Sequence, residues 1–294
     1  MIWLDDAHGA GLHDGPTIPF DASDRGLLLG DGLFETMTAW NGVIFERAAH
    51  VARLVAGCAV MQLVLEPQRI EPAIDAMLAG APAAGAVIRV TVTRGPGRRG
   101  LAMPEEARPT VMATRAPWNR DLVFQPQRLA TVSIRRNEMS PVSRLKSLCY
   151  LDGVLGLAEA SRAGATDALF LNTGGLIAST SMANLFVVFA DRIATPPTRA
   201  GILAGIMRAR LLAEGQIGGL PMVEADIAPT DITAASAMFL TNSVRLVMPV
   251  QQSDSRLLDA PGADAAGLAL TLLCNAIFAE CGTDPLGQTS PGRA

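Results

Sequence analysis

Short apolar runs alternate with longer amphipathic segments along this chain, and that alternation limits its possible folds more than any other feature. In the first 115 residues, extended segments and glycine turns lead into helical patterns at about 46–63 and 70–79, and a strand pattern follows at 86–94. The second half mixes strand patterns and helical patterns, the strands at 168–171, 185–189 and 238–241 and the helices at about 147–164, 205–214 and 263–280. Such a mixture predicts an α+β fold.

The length of the chain and one polar segment predict its division into domains. A chain of 294 residues exceeds the roughly 100–200 residues of a single domain, so we expect one large or two medium domains. Prolines 109 and 117 bracket an extended piece, and the polar run after them is the best candidate for a linker. The sequence therefore predicts a small N-terminal α+β domain over 1–117, a linker over 118–127, a larger C-terminal domain over 128–282 and a disordered tail over 283–294.

Composition excludes several classes of protein. Hydrophobic residues make up 49% of the chain and charged residues 18%, which offers enough apolar surface to exclude general disorder. The net charge of -4 gives no electrostatic reason to bind nucleic acid or an anionic membrane, and it favours small acidic or neutral partners. Acidic residues near the N-terminus and the lack of a long uninterrupted apolar run predict a cytoplasmic protein. Four scattered cysteines predict neither a metal site nor disulfides.

The chain contains one lysine, Lys146, among 24 basic residues. A coding bias toward arginine removes lysine wherever any cation suffices, so the one lysine that persists, Lys146, suggests a chemical role. A partly buried lysine amine can lose its proton and attack a carbonyl group, whereas arginine stays protonated. The alternative is that one surface lysine persisted by chance.

Several kinds of catalysis lack their sequence signals. The chain has three histidines, no G-x-S-x-G nucleophile elbow and no Walker loop, and the segment GLLLGDGLF does not have the spacing of a dinucleotide fingerprint. What remains is Lys146 in RLKSLCYL, which we expect to open a helix, together with arginines and helix N-termini that suit a phosphate. The loop RGPGRRG at 94–100 also suits an anion, although a solvated turn is the alternative. An aldehyde cofactor with a phosphate, pyridoxal 5'-phosphate, needs such groups.

Seven segments of the chain, in this order and spacing, are similar to motifs of the class IV aminotransferases: DRGLLLGDGLFET (24–36), H-x-x-R (50–53), TRGPGRRG (93–100), SPVSRLKSLCYLD (140–152), DALFLNTGGLIASTSMANLF (167–186), AGIMR (204–208) and LTNSVRLVMPV (240–250). This is the fold type IV family of pyridoxal-phosphate enzymes, which includes branched-chain and D-amino-acid aminotransferases and aminodeoxychorismate lyase. The resemblance implies a two-domain fold like that of D-amino-acid aminotransferase, with the cofactor between the domains, and a homodimer.

The resemblance also implies roles for individual residues. Lys146 matches the lysine that forms a Schiff base with the cofactor, and Arg53 matches the arginine that binds its phosphate, with a solvated helix arginine as the alternative for Arg53. Ile206 and Met207 match positions whose backbone N–H groups hold the same phosphate at a helix N-terminus. Ser243 matches a hydroxyl contact to the phosphate.

Two further matches bear on the cofactor ring. Tyr150 matches a tyrosine that contacts the phenolic oxygen of the cofactor in branched-chain members, or else it packs on the helix. Ser179 stands where the family usually has a glutamate that pairs with the pyridine nitrogen. A serine cannot stabilise a positive charge as a carboxylate does, so the ring becomes a weaker electron sink. A one-residue shift that brings another group to the nitrogen, or loss of activity, is the alternative.

Local similarity favours a lyase within this family. The segments GIMR, VMPV and RGPGRRG resemble aminodeoxychorismate lyase, which converts 4-amino-4-deoxychorismate to 4-aminobenzoate and pyruvate. That substrate carries two carboxylates, and arginine binds carboxylates through its planar guanidinium. The candidates for substrate binding are Arg89, Arg94, Arg98, Arg99 and Arg245. A transaminase acting on D-amino or branched-chain amino acids is the alternative, and a cofactor-binding protein without turnover is a third possibility.

Overall fold

The computed structural model describes residues 1–258 and 263–287, and its internal contacts divide the chain into two units. Among the described residues, the first unit comprises Met1–Trp118, Leu145–Cys149 and 277–287, and the second comprises Asn119–Arg144 and Tyr150–Ala276. The boundary after Trp118 lies next to the expected end of the N-terminal domain. The segment Leu145–Cys149 belongs to the first unit although the residues on both sides of it belong to the second, and no change in sequence composition predicts this. Part of the expected tail, 288–294, lies outside the described residues.

The first unit is built on a six-stranded antiparallel sheet in the order β2-β1-β6-β5-β3-β4. Its strands are β1 (Ile2–Asp6), β2 (Gly9–His13), β3 (Gly32–Trp40), β4 (Val43–Ile44), β5 (Ala86–Thr93) and β6 (Thr110–Pro117). Its helices are α1 (Arg25–Leu29), α2 (Arg47–Val60) and α3 (Glu71–Leu78). The alternating residues Ile88, Val90 and Val92 of β5 are buried in one core with Leu54 of α2 and Ile74 of α3. The periodicity of this half therefore predicted the helices α2 and α3 and the strand β5.

The second unit contains a ten-stranded mixed sheet, in which β7 runs parallel to β8 and β15. Its strands are β7 (Gln127–Arg136), β8 (Asp167–Asn172), β9 (Ile177–Thr180), β10 (Asn184–Val188), β11 (Ile193–Thr195), β12 (Gln216–Ile217), β13 (Leu220–Glu224), β14 (Ala237–Asn242), β15 (Leu246–Ser253) and β16 (Arg256–Leu257). The helices are α4 (Leu151–Arg162), α5 (Ile206–Ala213) and α6 (Ala263–Cys281), whose last residues belong to the first unit.

Close packing of α4 on the sheet depends on a glycine. A Cβ placed on Gly156 would lie 2.3 Å from Cζ of Phe170 on β8, so any larger residue would push the helix away from the strand. The parallel strands β7 and β8 need a crossover connection of this kind, and α4 supplies it.

The expected linker, 118–127, contains secondary structure. It includes a 3-10 turn, Arg120–Leu122, and the start of β7, and Trp118 packs edge-on against Trp40 with ring centroids 5.1 Å apart.

Helix α6 has a stretch, Asp264–Cys281, of mean hydropathy 1.4 that is long and apolar enough to cross a membrane. The core helix of a soluble protein meets the same two criteria, so this stretch alone gives only weak support for a membrane span.

Candidate active site

Lys146 lies in an extended segment beside β3 and not at the start of a helix. The backbone N–H of Phe34 donates to the carbonyl of Lys146 at 2.9 Å, and the N–H of Leu148 donates to the carbonyl of Gly32 at 3.0 Å. Helix α4 begins only at Leu151. The expectation that Lys146 opens the helix is therefore wrong by five residues, because the segment pairs with a strand of the first unit before α4 begins.

The lysine amine lies over an aromatic ring, with Nζ 4.2 Å from the ring centroid of Phe34. The pKa of Lys146 is lowered to about 8, mainly by burial; the charge of Glu35 opposes this shift, and the charges of Arg53 and Arg89 add to it. A buried amine loses its proton more easily because the charged form is poorly solvated there. The amine is thus set to exchange a proton and attack a carbonyl near neutral pH.

A buried carboxylate joins two side chains of α2 beside this lysine. Glu35 on β3 accepts hydrogen bonds from Nε and Nη2 of Arg53, each at 2.7 Å, and from Nδ1 of His50, also at 2.7 Å. His50 and Arg53 stand three residues apart on α2, a spacing that places both side chains on one face of a helix. Burial tends to raise the pKa of Glu35, but the hydrogen bonds and charges of His50 and Arg53 lower it to about 2.

Sequence reasoning missed Glu35, although a signal was present. The residue lies within the largely apolar strand GLFETMTAW, and an acidic side chain that is 1% exposed in such a strand needs a cationic partner. The identity of that partner depends on where α2 packs against β3, which residue spacing does not reveal.

Arg89 on β5 contacts the same aromatic ring as the lysine. Its guanidinium carbon lies 3.7 Å from the ring centroid of Phe34, and its Nε donates to Oγ1 of Thr91 at 3.3 Å. Arg89 and Arg53 both influence the charge of Lys146. Three cations and one carboxylate therefore lie together in the first unit, and this excess of positive charge fits an anionic ligand.

The structure gives Arg94 a different role from the predicted one. Its Nε donates to Oδ2 of Asp31 at 2.8 Å, and its Nη atoms donate to the carbonyls of Met61 and Gln62. The same carboxylate oxygen accepts a hydrogen bond from Nε of Arg25 at 2.8 Å. These contacts bury the guanidinium of Arg94 and occupy its hydrogen-bond donors, so the structure favours a structural role for Arg94 over the predicted role in substrate binding.

The other arginines of the prediction lie apart from this cluster. Arg98 and Arg99 are exposed in the loop 94–100, which agrees with the solvated turn that was the alternative there. Arg245 is half-buried in a turn of the second unit, where its backbone N–H donates to Oδ1 of Asn242 at 2.8 Å. Substrate binding by these three residues stays a prediction.

In the second unit, α5 begins at Ile206, and its N-cap, Gly205, forms no side-chain capping bond. A Cβ on Gly205 would lie 1.9 Å from Oδ1 of Asn184, so only glycine allows the chain to enter the helix so closely. The first backbone N–H groups of the helix, including those of Ile206 and Met207, have no carbonyl partner within it. Such a helix N-terminus suits a phosphate.

The remaining predicted residues also lie in the second unit. Ser179 is buried on β9, and its hydroxyl donates to the carbonyl of Thr180 at 3.2 Å. Ser243 lies half-buried in the turn after β14, and Tyr150 is the N-cap residue of α4 with 36% of its surface exposed. Their contacts with the cofactor stay predictions.

The residues of each unit fit pyridoxal 5'-phosphate. The first unit offers a partly buried amine of lowered pKa and an arginine held in place by a carboxylate, and the second offers an uncapped helix N-terminus. Among residues 1–258 and 263–287, no group of three or more metal-ligating side chains is placed to hold a metal ion.

Comparison with known proteins decides the family. The model of the amino-transferase class IV family matches residues 32–253, which is most of the chain. The chain belongs to the class IV aminotransferase family. Members of this family use pyridoxal phosphate, so the protein is a pyridoxal-phosphate-dependent enzyme, and both its cofactor and its mixed fold were predicted correctly.

The relatives of this class IV enzyme have more than one activity. A Methanocaldococcus jannaschii protein named as a branched-chain-amino-acid aminotransferase is 32% identical over 80% of this chain and 83% of its own. A D-alanine aminotransferase of Listeria monocytogenes is 27% identical over 80% of this chain and 82% of its own. The crystal structure of 4-amino-4-deoxychorismate lyase from Pseudomonas aeruginosa has a TM-score of 0.78 and 28% identity, covering 96% of this chain and 100% of that one.

Proposed function

We propose that this enzyme is a lyase that converts 4-amino-4-deoxychorismate to 4-aminobenzoate and pyruvate. The observation that carries the proposal is Ser179, a buried hydroxyl at the position where the family usually has a carboxylate. A carboxylate would stabilise a protonated pyridine nitrogen, and transamination depends on that charge more than an elimination whose product is aromatic. The similarity to the Pseudomonas aeruginosa lyase over nearly the whole chain supports the same choice.

The chain's own side chains can perform the steps such a reaction needs. When bound, the cofactor supplies an aldehyde that captures the substrate amine and a ring that withdraws electrons. Nζ of Lys146, with a pKa of about 8, can take a proton from the substrate carbon next to the amine and return it as pyruvate leaves. Arg53 is the first unit's candidate for binding the phosphate, and the N-terminus of α5 is the second unit's candidate. Arg89, beside the lysine on the ring of Phe34, is the best-placed candidate for a substrate carboxylate.

The lyase proposal is tested by the appearance of its product. Holoenzyme is mixed with 4-amino-4-deoxychorismate, and 4-aminobenzoate is followed by its fluorescence while pyruvate is measured with lactate dehydrogenase. We expect the two products in equal amounts, and we expect Lys146→Met to form neither. If no 4-aminobenzoate forms even when the enzyme concentration equals the substrate concentration, the lyase proposal is wrong.

The second candidate is a transaminase acting on D-amino or branched-chain amino acids. The 32% identity to the Methanocaldococcus jannaschii protein favours it. A half-reaction separates the two candidates: holoenzyme is mixed with a single amino acid, and the cofactor absorbance is followed as the amino group is transferred. Rapid and complete conversion with D-alanine or L-leucine would favour the transaminase.

A third possibility is a cofactor-binding protein with little turnover. In that case wild-type enzyme is inactive in both assays, and Ser179→Glu creates activity. An active wild-type enzyme excludes this possibility.

We further propose that the enzyme is a cytoplasmic homodimer, as its resemblance to the family implies. Sedimentation equilibrium of the holoenzyme measures its mass directly. A mass near that of one chain at micromolar concentration would contradict the dimer.

A further inference from the structure

We propose that Glu35 and His50 are positioning residues, which fix the guanidinium of Arg53 for the cofactor's phosphate and set the charge that faces the amine of Lys146. The inference rests on the cofactor of the family and is independent of the choice between lyase and transaminase. Neither residue was singled out as functional by the sequence.

The hydrogen bonds of Glu35 leave Arg53 one orientation. The carboxylate binds the guanidinium at two points, through Nε to one oxygen and through Nη2 to the other, each at 2.7 Å. Two parallel hydrogen bonds fix the plane of a guanidinium as well as its position. Because Glu35 is 1% exposed, water cannot take the place of either partner.

His50 in turn fixes the carboxylate. An ionised carboxylate only accepts hydrogen bonds, so Nδ1 of His50 is the donor in its 2.7 Å contact with Oε2. The opposite ring nitrogen, Nε2, is buried without a hydrogen-bond partner among the described residues. Burying an unpartnered polar atom costs free energy, which a leucine at the same place would avoid. A residue present only to fill the core would therefore be apolar, and the contact with Glu35 is what a histidine adds.

Glu35 also acts on the lysine, because it follows Phe34 on β3, whose ring centroid lies 4.2 Å from Nζ of Lys146. The charged groups that act on the amine of Lys146 come from three elements: Glu35 on β3, Arg53 on α2 and Arg89 on β5. The two arginines favour the neutral amine, and Glu35 alone among the three favours the charged one. Replacing the carboxylate with an amide removes that opposing charge and turns one hydrogen-bond acceptor into a donor facing the guanidinium.

Binding of the cofactor with and without its phosphate tests the positioning of Arg53. Cofactor-free protein is titrated with pyridoxal 5'-phosphate and with pyridoxal. The dissociation constant of pyridoxal divided by that of pyridoxal 5'-phosphate measures what the phosphate contributes to binding. We expect Glu35→Gln and His50→Leu each to lower that ratio about tenfold, since a lost charged hydrogen bond has that order of effect. His50→Asn keeps an N–H donor near the position of Nδ1, and we expect it to restore much of the ratio.

Glu71→Gln serves as the control. It removes a carboxylate of the same unit that pairs with Arg47 at the surface, and we expect it to leave the ratio unchanged. If Glu35→Gln and His50→Leu each weaken the binding of pyridoxal 5'-phosphate and of pyridoxal by the same factor, the ratio does not change. Glu35 and His50 then act only on the stability of the fold, and the proposal is wrong.

A second readout follows the lysine itself. Because the chain has one lysine, protein labelled with [¹³Cε]lysine gives a single signal whose shift reports the charge of Lys146. We expect the titration midpoint in Glu35→Gln to fall by about one pH unit or more below that of wild-type protein, as removal of one close charge does. An unchanged midpoint would overturn this part of the proposal.

The design covers two complications. If Glu35→Gln does not fold, as judged by circular dichroism, the pair His50→Leu and His50→Asn still tests the positioning of the carboxylate. No substrate enters any of these measurements, so failure of the lyase assay and failure of this inference are distinguishable.

Discussion

The amine of Lys146 should react as a neutral nucleophile at a pH where an ordinary lysine does not. Burial lowers its pKa from 10.5 to about 8. At pH 7 this raises the neutral fraction from about 0.03% to about 9%, an increase of about 300-fold. Expressed as a free-energy difference between the two protonation states, the shift corresponds to about 3 kcal/mol.

Competitive acylation measures this pKa in the cofactor-free protein. Trace acetic anhydride is added at pH values from 6 to 11, and the modification of Lys146 and of the α-amino group is quantified by peptide mass spectrometry. No other lysine competes for the reagent. We expect half-maximal labelling of Lys146 near pH 8 in the folded protein and near pH 10.5 in urea.

The result that would refute the reasoning is a midpoint at or above pH 10 in the folded protein. Limited access of the reagent lowers the rate at every pH and does not move the midpoint. A high midpoint would therefore mean that the amine is solvated, and Lys146 would then be unsuited to proton transfer near neutral pH.

The remaining predictions concern stability and binding. Asp31→Asn leaves two buried guanidiniums without a counter-charge, and we expect a loss of about 3–5 kcal/mol in urea unfolding with no change in the affinity for pyridoxal 5'-phosphate in folded protein. Glu35 has a folded pKa of about 2, below its ordinary 4.5, so its stabilisation is complete above pH 4.5 and is lost as the pH falls toward 2; unfolding free energies between pH 5 and 2 should therefore fall more steeply in wild-type protein than in Glu35→Gln. Gly205→Ala brings a methyl group to 1.9 Å from a side-chain oxygen, and we expect the helix N-terminus to shift, with a loss of about 1–3 kcal/mol in thermal unfolding and weaker cofactor binding. Ser179→Glu buries a carboxylate without a described partner, so the cofactor should raise the melting temperature of this variant more than that of Ser179→Gln.

Local patterns predicted the elements of this fold because they reflect local physics. Helix α2, expected over about 46–63, spans Arg47–Val60, and the strand expected at 86–94 is Ala86–Thr93. Periodicity reports which face is buried, and burial depends little on what the partner is. The placement of Leu145–Cys149 beside β3 could not be predicted in this way, because pairing between segments more than a hundred residues apart leaves no trace in either segment alone.

The candidate site also contains residues that the sequence could single out and residues that it could not. Lys146 could be singled out because it is the only lysine, and the spacing of His50 and Arg53 placed them on one face of a helix. Phe34 and Glu35 gained their roles only through tertiary packing, which sets the ring against the amine and the carboxylate against the guanidinium.

Two arginines that the sequence could not separate differ in what can reach them. Arg94 and Arg53 both pair with a carboxylate at 2.7–2.8 Å, so charge and hydrogen bonding alone do not distinguish their roles. The side chain of Arg94 is 3% exposed and its Nη atoms donate to backbone carbonyls, whereas the side chain of Arg53 is 16% exposed and lies in a cluster of excess positive charge. An anion must reach a guanidinium to bind it, and at Arg94 it would have to displace two backbone carbonyls that already accept hydrogen bonds. Accessibility together with net local charge therefore favours the prediction that Arg53 binds the phosphate, and it favours a structural role for Arg94.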